Sequence, residues 1–304
     1  MVHVISSRTK IPLYEITDDN KGIRLIENKL KDKVIGQDKA IRQLVNITKR
    51  IRLGFTENKC YSFMFIGSSG CGKTLLAKTF GDALFGSGKV IKLDMSEFND
   101  PSSLTKLIGS SPGYVGYDDN NIFETIRLNP FSILILDEVD KASKSVMDLF
   151  FQILDEGKIK NSKGIDIRFD NVIIIMTSNI GFNKNCMGFN NSSNITSKLK
   201  DILGVEFINR ISKTITFNKI TESDARKIIC NGIEKLRCEY KVKLDVSDDL
   251  IDDMVNESNY SLFGARRIKE IVRNRIENVI LDELMNDNKN ISIDMSKDKA
   301  CINN

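Results

Sequence analysis

Tryptophan is absent from this chain of 304 residues, proline occurs four times and histidine once. The single imidazole, His3, lies beside the amino terminus and supports neither triad chemistry nor an imidazole metal site. A dominant charge is also missing. Lys and Arg number 45 against 41 Asp and Glu, a formal net charge of +4, too balanced to indicate a nucleic-acid or membrane surface. No apolar run approaches membrane-spanning length, and the opening MVHVISSRTK lacks the apolar core of a signal peptide. The six cysteines form no C-x-x-C pair, which points to free thiols in a reducing compartment. Isoleucine, asparagine and lysine are abundant, a bias expected of an AT-rich genome such as a reduced organellar or endosymbiont one.

What is present begins with YSFMFIGSSGCGKTLLAKTF, in which Gly67, Gly70, Gly72, Lys73 and Thr74 stand at G-x-x-x-x-G-K-T spacing. Tyr61 to Ile66 reads as a buried strand, and Leu75, Leu76, Ala77 and Phe80 open an apolar helical face. A Gly/Ser-rich turn matches this pattern by chance, but here strand, loop and helix agree with it. Glycines let consecutive backbone N–H groups wrap phosphate oxygens, and the helix N-terminus adds a favourable dipole. Gly67, Ser68, Ser69, Gly70, Cys71, Gly72, Lys73, Thr74 and Leu75 are therefore candidate nucleotide-binding positions. Lys73 is placed to reach the β- and γ-phosphates, and the Thr74 hydroxyl to join Mg²⁺.

SILILDEVD sets the apolar residues Ile133 to Leu136 before Asp137 and Glu138, a central parallel strand ending in two carboxylates. Behind a phosphate loop, the first carboxylate is the expected Mg²⁺ partner and the second the general base for the attacking water. A third run, NVIIIMTSN, ends in Thr177, Ser178 and Asn179, where a polar side chain would position that water. Cys71, inside the loop, is expected to fill space rather than to react.

Residues 1–30 are expected to form a linker segment, with an amphipathic helix from about Asp19 and another from Asp38 to Leu53. Alternating strands and helices up to about Phe217 predict a parallel sheet with helices on both faces, residues 31–218. Residues 219–304 predict a smaller, mainly helical α+β domain. Its helices fall over Glu222–Tyr240, Asp248–Asn256 and Ala265–Met285, and its strands over Val242–Val246 and Ile291–Met295.

In this order, IPLYEI, VIGQDKAI, GSSGCGKT, DMSEF, GSSPGYVGYD, LILDEVDKA, IMTSN, EFINRI and GARRIKE resemble the motifs of Clp-type AAA+ unfoldases. The resemblance covers nearly the whole chain. It is to the second ATPase module of the ClpA, ClpB and ClpC type, nearest to ClpC. The amino-terminal domain and first module of those proteins have no counterpart here, so a fragment or a naturally single-module form is expected. The resemblance implies an AAA+ P-loop NTPase large domain followed by a lid domain, with ATP and Mg²⁺ as cofactors. It further implies that Val34 and Ile35 contact adenine, unless they are only helix-flanking core. Arg210 matches the arginine finger acting on the neighbouring subunit's γ-phosphate, and Arg266 the second sensor, which contacts phosphate in its own subunit. Arg267 stands where many relatives carry a non-basic residue, which leaves open which arginine of the pair touches nucleotide.

Tyr114 and Val115, between Gly113 and Gly116, resemble the pore loop that grips extended polypeptide; a turn with Tyr114 packed on a helix is the alternative. Asn161 to Gly164 is a weaker pore candidate. Met187, Gly188 and Phe189 resemble the loop that docks a ClpP-type peptidase in ClpC-type proteins, although a loop apex explains M-G-F as well. The expected partners are other copies in a homohexamer or mixed ring, unfolded or tagged protein substrates, and a ClpP-type peptidase. The expected compartment is the bacterial cytoplasm or a plastid-type stroma. Three readings remain: an unfoldase feeding a peptidase, a ClpB-like chaperone that remodels without proteolysis, and a ring subunit acting mainly as an interface. Balanced charge and the GYVG loop argue against a DNA-directed ATPase.

Overall fold

Apolar residues three and four apart start the structure, a computed structural model that describes residues 20–52, 60–110, 121–182, 192–286 and 290–293. Helix α1 (Asn20–Lys33) buries Ile23, Ile26 and Leu30, and α2 (Asp38–Arg52) buries Ile41, Leu44 and Val45. α1, the amphipathic helix expected from about Asp19, packs on the helix that follows the phosphate loop, while residues 1–19 of the expected linker segment lie outside the described residues. From Asn20 the chain is part of the first of two compact units, which also takes in residues 73–217.

Continuous apolar runs make the strands, as a sheet covered on both faces requires. β1 (Tyr61–Ile66), α3 (Lys73–Leu84), β2 (Val90–Asp94), α4 (Leu104–Ile108), α5 (Ile122–Leu128) and β3 (Ser132–Asp137) follow in turn. After α6 (Lys144–Glu156) comes an antiparallel hairpin of β4 (Lys158–Lys160) and β5 (Asp166–Arg168). β6 (Val172–Ser178), α7 (Ser192–Leu203), α8 (Val205–Arg210) and β7 (Lys213–Thr216) complete the unit. The five-stranded sheet has the order β2-β3-β6-β1-β7 and every pairing is parallel. Each residue of β3 and β6 is buried. Met64, Ile66, Leu134, Leu136, Ile174 and Met176 join one core with Phe98, Phe123, Phe150 and Phe169. There Phe123 meets Phe150 and Phe169 edge-on, at centroid distances of 6.2 and 5.3 Å. Phe63, Phe65, Ile133, Ile135, Ile173 and Ile175 are buried on the opposite face, where Phe65 lies 5.2 Å from Phe217. Each such side chain contributes about 1.5–3 kcal/mol by leaving water. Parallel pairing also has a positional result: β1, β3 and β6 all end at one edge, where ligands of open α/β sheets bind.

The second unit comprises Asn218–Asn304 together with Ser68–Gly72. Helix α9 (Glu222–Tyr240) starts at a capping box, in which the Thr221 side chain accepts from Asp224 N–H and Asp224 accepts from Thr221 N–H. β8 (Lys243–Val246) leads into α10 (Asp248–Ser258) and α11 (Tyr260–Val272). The helix expected over Ala265–Met285 is present but not uniform. α11 is kinked at Gly264, a π-helical turn spans Arg273–Glu277, and α12 (Asn278–Met285) continues it. β9 (Asn290–Ile293) pairs parallel with β8. Ile229, Ile233, Met254, Ile268, Ile276 and Ile280 belong to this unit's own core. Among the described residues, no helix is long and apolar enough to cross a membrane.

Candidate active site

At the carboxyl edge of the sheet, β1 ends at Ile66 and the Gly67 N–H donates to the Ser178 carbonyl at 3.4 Å. Lys73 opens α3 and is only 7% exposed. A buried ammonium needs acceptors. Its Nζ donates to the Gly67 carbonyl and to Asn179 Oδ1, both at 2.7 Å.

Asp137, the last residue of β3, accepts from three directions. Thr74 Oγ1 and Thr177 Oγ1 donate to Oδ1 at 2.9 and 2.5 Å, and Lys92 Nζ pairs with Oδ2 at 2.7 Å. Burial pushes this carboxyl up, but the hydrogen bonds from Lys92, Thr177 and Thr74 outweigh it, so its pKa lies below the ordinary value of 3.8. Glu138, next in sequence, has left-handed backbone angles (φ 56°, ψ 51°), a conformation costing about 1–3 kcal/mol outside glycine. Its N–H donates to Thr177 Oγ1 at 3.1 Å, so one hydroxyl ties the backbone of Glu138 to the carboxylate of Asp137. Ser178 Oγ donates to Asp140 Oδ1 at 2.7 Å just beyond.

Two members of this network escaped sequence reasoning. Thr177 was legible as a polar strand end but not as the hub. The role of Lys92 was not legible, because only the parallel register of β2 against β3 brings its side chain to Asp137. Its one sequence signal is a lysine inside the otherwise mostly apolar VIKLD.

In the second unit, the loop residues meet the segment before Arg266. Gly70 and Gly264 both have positive φ (+73° and +63°). A Cβ on Gly70 would lie 2.7 Å from the Phe263 carbonyl oxygen, and one on Gly264 2.7 Å from that of Ser69. The Ala265 N–H donates to the Gly70 carbonyl at 3.0 Å. Arg267 pairs with Glu270 at 3.0 Å, whereas Arg266 is exposed and in no ion pair among the described residues. Cys71 is 3% exposed.

Arg210 sits elsewhere. Its Nε lies 2.9 Å from Asp155 Oδ1, with the two side chains 51% and 44% exposed, which limits the pair to about 0–1 kcal/mol of stability. Its carbonyl accepts from Ser62 Oγ at 3.4 Å, near the start of β1. The phosphate-type loop leaves the other end of that strand, four residues or about 13 Å away. Val34 is buried and Ile35 half-buried after α1, and no hydrogen bond or ion pair joins them to the Lys73–Asp137 network among the described residues. Asn161–Gly164 is an ordered turn, with Asn161 Oδ1 accepting from the N–H groups of Lys163 and Ile165 at 3.0 and 2.9 Å. Tyr114, Val115, Met187, Gly188 and Phe189 lie outside the described residues.

A parallel sheet with a glycine-rich loop at its carboxyl edge defines the P-loop class of folds. Residues 58–214 match the family described as AAA domain (Cdc48 subfamily), and residues 220–294 match the C-terminal, D2-small domain of ClpB protein. The chain is 33% identical to the chaperone protein ClpB of Prochlorococcus marinus over 100% of its own length and 37% of that protein's. It is 34% identical to the ATP-dependent Clp protease ATP-binding subunit ClpL of Staphylococcus aureus, over 99% and 45% respectively. Among solved structures, a closed-state reconstruction of Hsp104 with ATPγS and FITC casein matches with a TM-score of 0.88 and 28% identity, covering 99% of this chain and 55% of that one. The chain belongs to the Clp family of AAA+ ATPases. It spans between about a third and a half of the length of these curated relatives.

Proposed function

We propose that the chain is the motor module of an ATP-dependent unfoldase, which assembles as a hexameric ring and threads polypeptide through its central pore. The observation that carries the hydrolytic half is the Thr74–Asp137–Thr177 network, with Glu138 held in a left-handed turn beside it. The donor set fits the cofactors. Lys73 and the loop backbone from Gly67 to Gly72 would hold the phosphates of ATP, and Val34 and Ile35 its adenine. Thr74 and Asp137 supply the hard oxygens that Mg²⁺ selects. Bound Mg²⁺ supplies positive charge against the phosphoryl oxygens. Glu138 acts as general base, Asn179 orients the attacking water, and Arg266 contacts phosphate within its own subunit. In support of Arg266 rather than Arg267, the latter is already paired with Glu270.

Arg210 is the finger for a neighbour. Its root beside Ser62, about a strand's length from its own phosphate loop, supports action in trans. A trans finger makes the contact heterologous, so the ring must close. Tyr114 and Val115 would grip the threaded chain. Delivery to a ClpP-type peptidase through Met187, Gly188 and Phe189 is the ClpC-like form of this reading. The ClpB relatives favour a second one, remodelling without a peptidase. A reducing compartment, bacterial cytoplasm or plastid-type stroma, suits the free thiols of Cys60, Cys71, Cys230 and Cys238.

Light scattering after size exclusion, with and without Mg-ATP and alongside an ATPase assay, tests the proposal. A nucleotide-dependent hexamer that hydrolyses ATP is expected, and a persistent monomer without turnover would overturn it. Adding a ClpP-type peptidase to the hexamer then separates the two readings, since only the ClpC-like form degrades substrate.

A further inference from the structure

We infer that Asp155 is a positioning residue for the finger, holding the Arg210 guanidinium so that its two terminal nitrogens are presented to the neighbouring subunit. This rests on the reading of Arg210 as a finger acting in trans. A guanidinium carries five N–H donors in a rigid planar fork. The Asp155 carboxylate forms an ion pair on the Nε side of this fork, at 2.9 Å. Among the described residues the guanidinium has no other partner, so the four N–H groups on its terminal nitrogens remain for a ligand. Two oxygens of a phosphate accept from such a pair in parallel.

Both ends of the clamp are anchored while its tip is in solvent. Asp155 lies in the last turn of α6, directly after the buried Ile153 and Leu154. Gly157, in the left-handed conformation, ends that helix two residues later. On the other side, α8 is fixed by buried Phe207, and the backbone around Arg210 is tied to β1. Ser62 Oγ donates to the Arg210 carbonyl at 3.4 Å, Ser212 N–H donates to Ser62 Oγ at 3.1 Å, and Ser62 N–H donates to Ser212 Oγ at 3.1 Å. An arginine held at its root but free beyond Cβ would sample many rotamers and lose that freedom on meeting phosphate. Pairing Nε in the free protein removes much of this loss beforehand. A pair so exposed adds little to stability, whereas its geometry sets where the fork points.

Asp155→Ala, Asp155→Asn and Arg210→Ala test the inference in the assembled ATPase. Asp155→Ala should lower kcat by up to about fivefold, the most that a pair of this exposure can supply, with KM for ATP unchanged. Asp155→Asn keeps the shape of the side chain without its charge and should fall between the wild type and Asp155→Ala. Mixed rings give the decisive reading. Glu138→Gln subunits lack the proposed base but supply an intact finger, so mixing them with Asp155→Ala subunits should restore turnover at the latter's sites, as it should for Arg210→Ala. Restoration for Arg210→Ala but not for Asp155→Ala would overturn the positioning role and leave the finger standing. If Asp155→Ala and Asp155→Asn both keep full kcat while Arg210→Ala loses it, the role is likewise refuted. An Arg210→Ala ring with undiminished turnover would overturn the finger reading itself, and the inference with it.

Discussion

Glu138 stores strain where the proposed chemistry needs a fixed carboxylate. Its left-handed backbone persists because the Thr177 hydroxyl accepts its N–H and β3 anchors the residue before it. If Glu138 is the base, Glu138→Gln should lower hydrolysis by about 10²-fold or more and leave ATP binding, followed with a fluorescent analogue, nearly unchanged. Undiminished turnover would remove Glu138 from that role. Cys60 illustrates a different residue-scale effect. Burial raises its thiol, with Asp170 adding repulsion, from 9.0 to about 12. A raised folded-state pKa favours the protonated form, so this contribution to stability is present below pH 9.0 and is lost as pH climbs toward 12. At pH 8, a maleimide probe should therefore label the exposed Cys230 and Cys238 while sparing Cys60, as peptide mass mapping would read. Rapid labelling of Cys60 in the folded protein would contradict its burial.

At the scale of elements, α9 depends on its first turn. Thr221→Ala removes one half of the capping box and should cost about 1 kcal/mol, visible as a lower urea midpoint at unchanged slope. An unchanged midpoint would mean that packing of Ile229 and Ile233 alone holds the helix start. The strands were readable beforehand because a fully buried strand must be an apolar run, and SILILD and VIIIMTS are such runs. The break in α11 was less readable. Gly264 marks a possible kink in any helical sequence, but the reason for it, a backbone approach to Ser69 and Gly70, joins residues nearly two hundred positions apart. Lys92 shows the same limit, since sheet register rather than local pattern sets it against Asp137.

For the whole molecule, the proposed work is mechanical, and Tyr114 is the proposed point of contact with the threaded chain. Tyr114→Ala should keep most ATPase activity and lose the ability to unfold a tagged fluorescent substrate. Continued unfolding by that variant would move the grip elsewhere, with the turn at Asn161–Gly164 next in line. The sequence by itself determined the α/β class, the strands around the phosphate-type loop and the family, because burial and phosphate binding each demand particular residues at close spacing. Only the tertiary structure decided which side chains meet. Thr74, Lys92 and Thr177 converge on Asp137, and Asp155 takes hold of Arg210, through parallel pairing and helix packing that bring distant segments together. Those contacts depend on register and crossing geometry, which no local run of residues encodes.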